Sequence, residues 1–172
     1  MSAPENNDLR TLIRDLALRR ESHDRRQLYW ALIKAQVWTP VNVDSAESHL
    51  QPADLHPLDR EALGGMASFS VFTHEGAAAT WQADEGAGIA LRLQHISFVD
   101  FLPLVLGAGA GSVYLNPSAK YSGELYRHEL QTCLDGAEKL ARRSVSARST
   151  QASSDDVASS PSLWSRLQKV FK

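Results

Sequence analysis

Thr73, His74 and Glu75 place a hydroxyl, an imidazole and a carboxylate at consecutive positions, and Asn116 adds an amide that both donates and accepts hydrogen bonds. Thr73 and His74 fall where a strand gives way to a helix, and Asn116-Pro117 closes another strand. In open α/β sheets the carboxyl ends of strands are where ligands bind. Thr73, His74, Glu75, Trp81, Asn116 and Pro117 are therefore a candidate ligand or partner pocket, with Glu75 favoured in a first helical turn by the macrodipole. Each also has a purely structural role to compete with this: Asn-Pro starts turns, Thr73 can cap the next helix, and Trp81 suits a core. No nucleophile, base and orienting group can be assembled from spacing alone, so no catalytic residue is assigned.

Other constellations fail on order or spacing. Gly107-Ala108-Gly109-Ala110-Gly111 is rich enough for a phosphate cradle, but it follows a helix and precedes a strand, the reverse of a dinucleotide fingerprint. It reads as a helix end and loop. His128-Glu129 resembles the start of a zinc-protease helix, but position 132 holds Thr132 where the second histidine belongs. The six histidines, His23, His49, His56, His74, His95 and His128, include no i, i+4 pair, so no metal and no cofactor is expected. Cys133 sits on an apolar helical stripe and reads as a buried small hydrophobe.

These residues need elements to position them. Leu9, Leu12, Ile13 and Leu16 fall at helical spacing and predict a helix over Asp8 to Ala17. Asp24 and Gln27 form a capping-box pattern ahead of Leu28, Ala31, Leu32 and Ala35, a second helix. Val37 to Val43 reads as a strand that Pro40 makes an edge or a bulged one. Asp44 to Gly65, with Pro52, Pro57 and Gly64-Gly65, reads as a long irregular connection. Strands are then predicted at Met66 to Thr73, Gly88 to Leu93 and Ser112 to Leu115. Helices are predicted at His74 to Gln82, after a Ser97 cap with a late start or kink at Pro103, and from Gly123 to Arg142. This alternation predicts an α/β fold: a mixed, partly parallel sheet flanked by helices, with an N-terminal helical segment.

The chain has 172 residues, 43% apolar and 22% charged, enough for one domain over 1–143. Its 18 Lys and Arg against 20 Asp and Glu give a net charge of -2, so no nucleic-acid partner is expected. One cysteine precludes an internal disulfide, no apolar run nears the ~20 residues of a membrane span, and Met1 to Asp8 lacks a secretory signal. A cytoplasmic location is expected. Arg10, Arg14, Arg19, Arg20, Arg25 and Arg26 give the first helices a basic side, which Asp15, Glu21 and Asp24 would neutralise by pairing with Arg19 and Arg25.

Residues 144–161, mostly Ser, Ala, Thr and Asp, have the composition of a disordered linker. In 162–172, Leu163, Trp164, Leu167, Val170 and Phe171 line one face of a short helix and Arg166, Gln168, Lys169 and Lys172 the other. Such a basic amphipathic helix either docks on a protein partner, makes peripheral contact with a membrane, or folds back on its own domain. At roughly ten residues it needs some surface to be stable.

Leu28 to Val41, Phe72-Thr73-His74-Glu75 followed by Trp81, and Val113-Tyr114-Leu115-Asn116-Pro117 together resemble the SseB N-terminal-type domain, a bacterial family, over roughly residues 25–140. The resemblance implies an α/β domain, linked by name to enhanced serine sensitivity and found near secretion-associated proteins, with no common reaction. No second domain is recognisable here, in contrast to longer members. Residues and resemblance together favour a non-enzymatic cytoplasmic interaction module that engages a protein partner or a membrane surface. The alternative is a small-molecule-binding or catalytic domain with its site near Thr73 and Asn116.

Overall fold

The structure is a computed structural model that describes residues 5–18, 25–45, 49–58, 65–84 and 90–158, with side chains described except at 5–8, 84 and 145–158. Helix α1 (Glu5–Ala17) buries Leu9 and Ile13, and α2 (Arg25–Ile33) buries Leu28 and Leu32, as their spacing predicts. Asp24, the expected cap of α2, lies outside the described residues.

Strand β1 (Gln36–Asn42) follows, then a single 3-10 turn (Pro52–Asp54), then β2 (Ala67–Val71) and α3 (Glu75–Asp84). Strand β3 (Leu91–Ser97) pairs antiparallel with β1 along its whole length, from Gln36 opposite Ser97 to Asn42 opposite Leu91. This strand ends four residues later than the sequence suggests, because pairing with β1 holds Gln94 and His95 in extended backbone although neither is a strong strand former. On its other side β1 makes, among the described residues, only isolated bridges, Trp38 with Phe72 and Val41 with Leu55. Trp38 exchanges both backbone hydrogen bonds with Phe72, at 2.9 and 2.8 Å. Pro40, two residues on, points its missing N–H to that same side, so the ladder with β3 loses nothing. The gap beyond is filled by residues 55–58: the His56 N–H donates to the Pro40 carbonyl and the Leu58 N–H to the Ser68 carbonyl.

Helix α4 (Phe98–Gly107) starts directly after β3. The Ser97 hydroxyl accepts the Asp100 N–H at 3.1 Å and donates to the Asp100 carboxylate at 2.6 Å, which fixes the start at Phe98 and not later. Pro103 is accommodated inside the helix. Gly109 makes the turn to β4 (Ala110–Leu115) with φ +79°, a conformation glycine adopts without a Cβ penalty. Gly107 to Gly109 of the glycine run are thus a helix end and turn, as the order predicts, whereas Ala110 and Gly111 already belong to β4, which starts two residues before the expected Ser112 because they lie in the sheet beside β2.

Strand β4 pairs parallel with β2 and antiparallel with β5 (Gly123–Tyr126), giving a mixed three-stranded sheet in the order β2-β4-β5 beside the β1-β3 pair. The α/β reading with partly parallel pairing holds. Strand β5 departs from it: Gly123 to Tyr126 is extended along β4, and helix α5 (Arg127–Ala158) begins four residues after the expected start. Leu130, Cys133 and Ala137 form its buried stripe. Tyr126 leaves that stripe, lies 39% exposed and stacks on the His128 ring. The same helix runs to Ala158, through the Ser- and Ala-rich stretch whose composition suggests a linker. Residues up to Ala137 form one compact unit; the helix from Glu138 onward belongs to a second.

The main core joins Val37, Val41, Phe69, Val71, Val113, Leu115 and Leu125 of one sheet face to Leu9, Ile13, Leu28, Leu32, Phe98, Phe101, Leu130 and Cys133 of the helices. On the opposite face Phe72, Ala77, Ala78 and Trp81 make a second, smaller cluster beneath α3, with Trp38, Leu91 and Leu93 against it.

Candidate functional site

Parallel pairing brings the carboxyl ends of β2 and β4 together, and with them Thr73 and Asn116, 43 residues apart in sequence. Asn116 Oδ1 accepts the Thr73 N–H at 2.8 Å and the Thr73 hydroxyl at 3.3 Å, while Asn116 Nδ2 donates to Thr73 Oγ1 at 2.9 Å. The Asn116 N–H donates to the Val71 carbonyl at 2.8 Å. Asn116 holds φ at 52°, the left-handed region that asparagine tolerates better than most residues. Thr73 and Asn116 are 1% and 3% exposed, and Pro117 is buried beside them. Their hydrogen bonding is directed at each other, and it ties two strand ends into one unit.

Thr73 does not cap α3; His74 does. Its Nδ1 accepts the Ala77 N–H at 3.0 Å, the bond a serine or aspartate side chain makes at other helix starts. Burial first, and the nearby Arg10 guanidinium second, hold the His74 imidazole below its ordinary pKa, which keeps Nδ1 free to accept. Glu75 is exposed in the first turn of α3. Trp81 is 4% exposed and packs on Phe72 in the small cluster, with ring centroids 5.4 Å apart.

A second polar centre escaped the sequence reading. Glu129, the third residue of α5 and 3% exposed, accepts the Tyr126 N–H at 2.9 Å, closing the first turn. Its other oxygen meets Arg25 Nη1 at 2.8 Å and accepts a short hydrogen bond from the Tyr29 hydroxyl. Burial and the adjoining carboxylate raise the Tyr29 pKa, so the phenol stays protonated and donates. Arg25 thus pairs with Glu129 across to α5, a partner not expected from the sequence, and Asp15 pairs with Arg14 at 3.3 Å. Glu21, Asp24, Arg19 and Arg20 lie outside the described residues. A sequence signal for Glu129 exists, an acidic residue at the third helical position, but it becomes legible only once α5 is known to start at Arg127. Burial, reinforced by Glu129, pushes the Cys133 thiol up to about 12 and suppresses its thiolate.

A cleft of about 500 Å³ opens between β3 and the start of α4, lined among others by Gln36, His49, Gln94, His95 and Asp100. The His95 ring also lies tilted against Trp38, with centroids 4.3 Å apart. Among the described residues no three His, Cys, Asp or Glu side chains converge on a metal position, and no helix is long and apolar enough to cross a membrane. Leu163, Trp164, Arg166, Leu167, Lys169, Val170 and Phe171 lie outside the described residues.

The family model for the SseB protein N-terminal domain matches residues 9–132. The chain belongs to the SseB family. The match runs from Leu9 of α1 into the second turn of α5, so it contains both sheets, the Thr73–Asn116 tie and the Arg25–Tyr29–Glu129 cluster. This SseB-family domain begins further upstream than the motifs at Leu28 to Val41 indicate. No curated protein matches the chain.

Proposed function

We propose that this SseB-family chain is a cytoplasmic protein-interaction module whose residues 162–172 engage a protein partner. The observation that supports this over a small-molecule site is the Thr73–Asn116 pair. It occupies the strand ends where an α/β sheet binds ligands, and its hydroxyl and amide are turned on each other, away from solvent. In the tail, Leu163, Trp164, Leu167, Val170 and Phe171 supply an apolar contact stripe, and Arg166 and Lys169 supply positive charge beside it.

The test uses the full chain. Trp164→Ala combined with Leu167→Glu abolishes capture of the partner from native lysate and leaves the melting profile in place. Flotation with phosphatidylglycerol vesicles runs alongside: loss of flotation without loss of protein capture makes the tail a membrane anchor. If capture survives in the tail variant while Asn116→Ala, still folded, abolishes cellular function, the small-molecule site at Thr73, His74, Glu75 and Asn116 replaces this reading.

A further inference from the structure

We propose that the outer edge of β3 pairs with the same edge of a second copy of this chain, joining two β1-β3 pairs into one antiparallel sheet across a two-fold axis. This inference goes beyond the tail and does not rest on it. The direction of each backbone group in β3 follows from β1. Trp38 exchanges its N–H and carbonyl bonds with Phe72, so both groups face away from β3. Backbone groups alternate along a strand, which leaves those of Val37, Thr39 and Val41 facing β3, opposite Ile96, Gln94 and Arg92. The N–H and carbonyl groups of Leu91, Leu93 and His95 therefore point outward. Among the described residues no strand pairs with that side, and the His95 carbonyl meets the side-chain amide of its neighbour Gln94 at 3.3 Å.

Outer strands are ordinarily blunted by proline, lysine, a bulge or a covering element. Strand β5, at the end of the other sheet, is four residues long, and its Glu124 carbonyl accepts from Arg25 Nη2 at 3.4 Å. Strand β3 has seven residues with no proline, no lysine and no break in register. Its Leu91 and Leu93 are half-buried and His95 is exposed. A second copy is the occupant because this edge is its own complement. Antiparallel pairing centred on Leu93 sets Leu93 against Leu93 of the second copy and Leu91 against its His95, and every outward N–H then meets a carbonyl. The apolar pairs extend the small cluster beneath α3, against which Leu91 and Leu93 already pack. On the other face Arg92 falls opposite Gln94 of the second copy in both halves, so no like charges oppose each other, and Arg92 is laid along its own chain by donating to the Ser45 carbonyl at 3.0 Å.

Sedimentation velocity on the full chain from about 1 μM to about 1 mM, with residue-resolved amide exchange at both ends of that range, tests this. The expected result is a reversible dimer in which the Leu91, Leu93 and His95 amides exchange about tenfold or more slowly at high concentration, while those of Arg92, Gln94 and Ile96, bonded to β1 in either state, do not change. Leu93→Pro deletes an outward N–H and leaves the β1 ladder whole, as Pro40 does on β1, and it weakens the dimer about tenfold or more. Gln94→Arg, which sets arginines opposite each other in both halves, weakens it about threefold or more, and Gln94→Glu, which sets a carboxylate opposite Arg92, tightens it by a similar factor. This pair keeps the test decisive if Leu93→Pro does not fold. A monomer throughout the range, amides at 91, 93 and 95 indifferent to concentration, a dimer indifferent to Leu93→Pro, or a response of one sign to both Gln94 variants overturns the proposal. So does a dimer lost in Trp164→Ala with Leu167→Glu, which assigns the contact to the tail, and so does slowing of those amides only on addition of native lysate, which gives the edge to an extended segment of another protein. Partner capture that depends on the tail in a chain that stays monomeric leaves the module reading standing and removes only this pairing.

Discussion

At the residue scale, His74 couples a helix start to protonation. Its Nδ1 accepts the Ala77 N–H only while the imidazole is neutral; a proton there turns the acceptor into a donor and leaves the N–H of Ala77 without its side-chain partner. The folded chain binds this proton less readily than the unfolded chain does, because burial and Arg10 disfavour the cation. The unfolded state therefore holds more protons over the window just below the ordinary histidine value of 6.5, and stability rises with pH across it. Denaturant midpoints measured from about pH 5 to about pH 7.5 should increase, and His74→Asn, which keeps a capping acceptor that does not titrate, should lose that part of the slope. An unchanged slope in the variant assigns the effect to other groups. Neither His74 nor its neighbour was legible from propensity. Histidine is not among the common caps, and the Thr73 hydroxyl that looked available for capping is drawn to Asn116 by a strand pairing that local sequence does not encode.

At the scale of elements, Glu129 links the start of α5 to the side of α2. Removing the Tyr29 hydroxyl leaves the carboxylate with Arg25 and the Tyr126 N–H, so Tyr29→Phe should cost about 1 kcal/mol, a typical net hydrogen bond. Glu129→Ala loses the turn closure and strands Arg25; since that side chain is 41% exposed, the loss should be about 2–3 kcal/mol, below that of a fully buried pair. A double-mutant cycle by urea unfolding should then show coupling of about 0.5 kcal/mol or more between Tyr29 and Glu129, and strict additivity would dissolve the link. The helices whose apolar residues repeat every three or four positions, α1, α2, α4 and the Leu130 to Ala137 stretch of α5, were legible because one face of each meets one core. Strand β5 was not. Four residues, Gly123 to Tyr126, are too few for a period of two to stand out, and Tyr126 and Leu130 at i, i+4 mimic a helical stripe although only Leu130 is buried.

At the scale of the whole molecule, the pairing of distant segments governs what the chain can present. Partly parallel pairing was expected from the alternation of elements, but not which strands pair; the alignment of β2 with β4 makes two strand ends 43 residues apart neighbours, and that their polar groups satisfy each other could only come from the assembled sheet. The hydroxyl of Thr73 and the amide of Asn116 are thereby engaged with each other at that edge. Among the described side chains the buried stripe of α5 reaches its last member at Ala137, and the family match ends at Thr132. Residues 162–172 thus follow Ala137, the last buried residue among the described side chains, by more than two dozen positions. Their deletion should leave the calorimetric midpoint within about 2 °C, a stability change of less than about 1 kcal/mol for a chain of this length, while partner capture falls to background. A drop of roughly 6 °C or more would mean that Leu163, Trp164, Leu167, Val170 and Phe171 are needed for the stability of the fold, since burying even two or three such side chains amounts to several kcal/mol. In that case the tail would be part of the folded domain and not a free ligand for a partner.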